Sequence, residues 1–119
     1  MNAETQVDNT TCNASGCPMV ATNSRSTNGG GEWLCFIHFA TDHADRYHVT
    51  AELVRLRWLV DIVRCLRAGQ PLTADQHQNF VLAQRSDLKQ KESEWPRDWM
   101  IRLEGVLQQS CRDSLVQPA

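Results

Sequence analysis

Cys12, Cys17, Cys35 and His38 are the residues whose types and spacing could do chemistry, and that chemistry is metal ligation. Zinc takes four nitrogen or sulfur donors at the corners of a tetrahedron. They usually come as two close pairs from separate pieces of backbone, because one short turn presents two ligands but seldom four. Cys12-x4-Cys17 supplies one pair and Cys35-x2-His38 the other, with 17 residues between them. Gly16 allows a tight turn into Cys17, and Pro18 restricts the backbone of the cysteine before it. The segment between the pairs is crowded with Gly, Asn, Ser and Thr and has almost nothing apolar to fold around, so its order requires that its two ends be tied together.

Without a metal, Cys12 and Cys17 would be surface thiols and Cys35 a small buried hydrophobe, which leaves that polar loop unexplained. A Cys12–Cys17 disulfide would not account for Cys35 and His38, and an odd count of five cysteines in a reduced compartment favours metal over a disulfide framework. Four protein ligands fill a zinc tetrahedron and leave no place for water, so the expected role is structural. His43 or His48 could replace His38, and Asp42 or Asp45 could orient a ligating imidazole from behind. Cys65 and Cys111 fall in helical sequence, where a lone cysteine is packing, and His77 has no partner in the sequence.

These ligands need elements to hold them. Residues 1–11 are polar and read as a lead-in; 12–49 form the zinc lobe, with GEWLCFIHF as a short strand or hairpin running into the second ligand pair. Residues 50–119 are expected to be a helical lobe packed against it as one compact unit. Leu53, Leu56, Leu59, Val60, Ile62, Val63 and Leu66 recur at spacings of three and four, predicting one helix over 50–68 with Thr50 as its N-cap and Gly69 just past its end. Thr73-Ala-Asp-Gln76 has the form of a capping box and opens a second helix to about Ser86, with Phe80, Val81, Ala83 and Leu88 as its apolar side. Pro96 suits a first helical turn, so a third helix follows over 96–111, with Trp99, Met100, Leu103, Val106 and Leu107 on one side; Gly105 weakens it by roughly 1 kcal/mol relative to Ala. The expected class is mainly α: a zinc knuckle and loop followed by a bundle of about three helices.

Composition limits the alternatives. At 119 residues, 41% hydrophobic and 22% charged, the chain has ordinary globular chemistry and no room for two large cores. No run approaches the roughly 18 to 20 apolar residues of a membrane span, and the N-terminus lacks the features of a secretion signal, so a cytoplasmic location is expected. Net charge is −2, which gives no overall basic field for nucleic acid. Only 50–69 is locally basic, where Arg55, Arg57, Arg64 and Arg67 face Glu52 and Asp61.

The N-terminal third, with CNASGCP as a knuckle and WLCFIH as the second pair, resembles the zinc-ribbon and treble-clef modules. More loosely, the knuckle, the Gly-rich loop, Trp-Leu-Cys-x-x-His-Phe and a helical tail look like small proteins carried by bacteriophages and prophages. The resemblance covers about residues 12–39, and the four residues between Cys12 and Cys17 depart from the common Cys-x2-Cys knuckle. It implies structural Zn2+ and, through the phage-encoded proteins, an accessory factor or inhibitor of a host complex, such as an anti-CRISPR or other anti-defence protein.

Three functions are open to such a chain. A non-enzymatic protein-binding module would use exposed tryptophans, Trp33 and Trp95 being the candidates, because Trp is enriched at interface hot spots. A nucleic-acid-binding zinc protein would set Arg55, Arg57, Arg64 and Arg67 against phosphates. A zinc hydrolase or nuclease would need an open metal position and a base among Asp42, His43 and Asp45. The first is expected, with a protein complex as partner. Homodimerisation is a further expectation, since three modest helices leave apolar surface to cover.

Overall fold

The computed structural model describes residues 11–14, 16–27 and 30–116, and side chains within those ranges except at 24–32 and 116. Apart from Thr11, the expected lead-in lies outside the described residues. The fold is mainly helical. Strands β1 (Asn23–Thr27) and β2 (Gly30–Leu34) precede helices α1 (Phe36–Phe39), α2 (Arg46–Arg55), α3 (Arg57–Arg67), α4 (Ala74–Leu82) and α5 (Pro96–Val116), with 3-10 turns at His43–Asp45 and Ser86–Leu88. The chain divides into two units, Met1–Arg55 with Ser110–Ala119, and Leu56–Gln109.

In the first unit β1 and β2 pair antiparallel, from Asn23 opposite Leu34 to Thr27 opposite Gly30. Leu34 and the neighbouring Cys35 are fully buried, and Ile37, Val49 and Leu53 join them. Val49 and Leu53 are one helical turn apart on α2, so a single stripe carries both inward. Burying a leucine such as Leu53 is worth roughly 1.5–3 kcal/mol. The final turns of α5 return to this unit: the Ser110 hydroxyl donates to Glu52, and the buried Cys111 sulfur lies 4.0 Å from the Val49 carbonyl oxygen.

In the second unit α3 buries Leu59, Val60, Ile62 and Val63. Phe80 of α4 is fully buried, with the Trp58 ring edge-on at 5.6 Å and the Trp99 ring at 6.0 Å. The Trp99 indole N–H donates to the Leu88 carbonyl at 2.8 Å, so this large buried ring keeps its polar atom satisfied. Leu103 and Leu107 continue the buried stripe of α5, whereas Met100 and Val106 are half-buried.

The helix expected over 50–68 is two helices. The backbone breaks at Leu56 (φ −100°, ψ 29°), and α2 begins at Arg46. Neither Gly nor Pro marks the break. Val49 and Leu53 before it are buried in the first unit, and Leu59, Val60, Ile62 and Val63 after it in the second. Thr50 is accordingly an interior residue of α2 and caps nothing. The expected capping box is present, with Thr73 N–H donating to Gln76 Oε1 at 2.9 Å and Gln76 N–H to Thr73 Oγ1 at 3.1 Å. That helix stops at Leu82, short of the expected Ser86, leaving Val81 and Ala83 exposed. Among the described residues no helix is long and apolar enough to cross a membrane.

Candidate metal centre

The knuckle is built by local hydrogen bonds. Thr11 bridges Val20, and Cys12 N–H donates to the Met19 carbonyl at 3.0 Å. Cys17 N–H donates to the Ala14 carbonyl at 3.0 Å, closing a turn in which Gly16 takes φ +80°, a conformation that side chains with a Cβ rarely adopt. Asn13 then pins the knuckle to β2: its N–H donates to the Trp33 carbonyl, and its side-chain oxygen accepts the Trp33 N–H, both at 2.7 Å. Nothing in the sequence singled out Asn13, because its partner is twenty residues away.

The second pair sits where β2 meets α1. Cys35 is the N-cap of α1, and its sulfur accepts the His38 N–H at 3.3 Å, so a short helical turn presents both ligands to one point. Cys12, Cys17, Cys35 and His38 come together with their ligand atoms all within 4.8 Å of one another. All four residues are buried, His38 and Cys35 completely. His38 Nδ1 lies 3.5 Å from Cys12 Sγ and 3.4 Å from Cys35 Sγ. A zinc–sulfur bond of about 2.3 Å and a zinc–nitrogen bond of about 2.0 Å at a tetrahedral angle require a separation of about 3.5 Å, which these two nitrogen–sulfur distances match.

Protons alone serve this cluster poorly. Donation from Cys17 and Cys35, with help from His38, holds the Cys12 thiol far below its usual range. The same interactions with Cys12 and Cys35, aided by burial, push Cys17 far above it. Burial works against charge on His38, but hydrogen bonds to Cys12 and Cys35 outweigh it and raise the imidazole to about 9. Cys12 is thus favoured as a thiolate while Cys17 is held as a thiol, a condition that a divalent cation relieves.

Behind the ligands, His38 Nε2 lies 3.0 Å from the Thr50 hydroxyl and 3.3 Å from the Arg46 carbonyl oxygen, both on α2. The groups in that position are these two, and not Asp42 or Asp45, which the sequence offered as able to orient a ligating imidazole. His43 lies exposed in a 3-10 turn and His48 exposed on α2, and neither belongs to the cluster. Cys65 donates to the Gln70 and Pro71 carbonyls just beyond α3, each at 3.4 Å. Cys111 is a buried packing thiol raised to about 12 by burial and then by the charges of Glu52 and Cys35.

The expected partner-facing residues are dispersed. Trp33 is 42% and Trp95 74% exposed. The four arginines are engaged: Arg55 pairs with Glu52, Arg57 with Asp61 at 2.9 Å, Arg67 with Glu104, and Arg64 also has a partner. No family model matches the chain, and no curated protein or solved structure is significantly similar to it, so the resemblance to zinc modules stands on the four clustered positions alone.

Proposed function

We propose that the protein is a non-enzymatic, zinc-stabilised module that binds another protein. The observation that carries this reading is the closed donor set. Three sulfurs and one nitrogen from four buried residues supply the full donor count of a tetrahedral zinc site, which would leave no position for a metal-bound water to be activated. A metal held this way organises backbone, here the knuckle, the strand pair and the entry to α1.

Exposed side chains of the kind that anchor interfaces support the binding role. In the first unit Trp33 and Tyr47 reach solvent, and an open groove of about 810 Å³ runs between the knuckle and α2, with Asn13, Tyr47, Ala51 and Val54 among its walls. In the second unit Trp95, Leu82 and Ile101 are exposed. The ion pairs of the arginines weaken the nucleic-acid alternative, since guanidinium groups already facing carboxylates offer phosphate less.

The test has two parts. Metal analysis of protein purified without added metal should give about one zinc per chain, lost in Cys12→Ser and His38→Ala. Affinity capture from a lysate should then yield a protein retained by the wild type and released by Trp33→Ala or Trp95→Ala, with folding verified by circular dichroism. Zinc at well under one per chain, or a partner whose retention collapses with salt or nuclease treatment, would defeat the reading.

A further inference from the structure

Resting on the structural-metal reading above, we infer that Thr50 is the positioning residue of the centre: its hydroxyl holds the His38 imidazole in the tautomer and orientation that present Nδ1 to the metal. The geometry is specific. Nδ1 faces two of the sulfurs, at 3.4 and 3.5 Å, while Nε2 faces away from them toward α2. There it meets two oxygens, the Thr50 hydroxyl at 3.0 Å and the Arg46 carbonyl at 3.3 Å. A carbonyl oxygen only accepts, so Nε2 carries the ring hydrogen and Nδ1 is left with the lone pair that a metal needs. Thr50 lies four residues after Arg46, one turn along α2, so a single helical face supplies both contacts.

The same threonine lies beside the other half of the centre. A Cβ built on Gly16 would come 3.6 Å from the Thr50 methyl, so the turn that aims Cys17 lies against the residue that aims His38. Two ligands from separate pieces of chain are thus referred to one side chain. Groups that hydrogen-bond the outer nitrogen of a ligating histidine fix its ring and raise its basicity, and their loss weakens metal binding by about 10- to 100-fold. Of the two oxygens, only the hydroxyl can be removed by substitution.

Zinc affinity is to be measured on the full chain by competition with a chromophoric chelator, for wild type, Thr50→Val and Thr50→Ser, with Co2+ absorption reporting the ligand field. Thr50→Val keeps the shape and removes the hydroxyl, and should bind about 10- to 100-fold more weakly, with altered Co2+ bands, whereas Thr50→Ser should stay close to wild type. Equal affinity in Thr50→Val, or equal loss in both variants, would overturn the inference, the latter because Thr50→Ser keeps the hydroxyl. A long-range proton–nitrogen NMR spectrum of zinc-loaded wild type decides the matter even if a variant fails to fold. It should show the proton on His38 Nε2 and the metal on Nδ1, and the reverse assignment would overturn the inference. A wild type that takes up neither Zn2+ nor Co2+ would remove the underlying reading instead, an outcome distinct from any difference among variants.

Discussion

Three sulfurs and an imidazole nitrogen within 4.8 Å of one another cannot all give up their protons unless a cation takes their place, and that governs how the centre responds to pH. Metal binding must displace the proton that His38 keeps up to about 9 and the one that Cys17 holds still more tightly. Affinity should therefore fall as pH falls, by about tenfold per unit for each proton displaced, or about 100-fold per unit if both are. Isothermal titration in buffers of different ionisation enthalpy would count those protons; an affinity flat between pH 6 and about 8 would contradict the cluster as described. The cluster of Cys12, Cys17, Cys35 and His38 was legible in the sequence because each pair is local, with its spacing written in consecutive residues. Asn13 and Thr50 were not, since each acts on a residue far along the chain and neither has a side chain unusual for its neighbourhood. Thr50 read as a helix cap, a local role for which Thr is equally suited.

Element boundaries show the same dependence on local chemistry. Helices α3 and α4 end in the same way, with the third residue past the helix donating back to the fifth before it: Gln70 to Cys65 at 3.1 Å and Arg85 to Phe80 at 2.8 Å. At the residue that must turn left-handed, α3 has Gly69 (φ +72°), and its end was legible; α4 has Gln84 (φ +58°), and its end was not. Replacing Gln84 by Gly should relieve that backbone strain and stabilise the protein by about 1 kcal/mol, measured by urea denaturation. Gly105→Ala should gain a similar ~1 kcal/mol, because Gly105 is an exposed interior residue of α5 and an added Cβ would meet nothing within 4 Å. The connector before α5 is held by Arg102, which pairs with Glu94 at 2.9 Å through two nitrogens and donates to the Lys89 carbonyl at 2.8 Å. Arg102 holds the Glu94 carboxyl down to about 2. A depressed carboxylate contributes above its unfolded value and loses that contribution as pH falls through its folded value, so this clamp should weaken between about pH 4 and pH 2. Glu94→Gln should flatten the acid limb of a stability–pH curve over that interval.

At the scale of the molecule, a net charge of −2 and arginines already facing carboxylates predict no binding of a mixed-sequence DNA duplex at near-physiological salt, to be checked by fluorescence anisotropy. The mainly helical class was legible from periodicity, but the division of the chain was not. Leu56 has neither Gly nor Pro to announce a break, and the apolar spacing runs through it without interruption. The division also has a consequence in time. Because the first unit is made of residues up to Arg55 and of residues from Ser110 onward, its contacts between Glu52 and Ser110 and between Val49 and Cys111 span 58 and 62 residues. Those are slow closures for a chain this short, and during synthesis the segment bearing all four ligands leaves the ribosome well before the piece that completes its core. The four clustered side chains are therefore available to a metal ion before the unit that contains them can close.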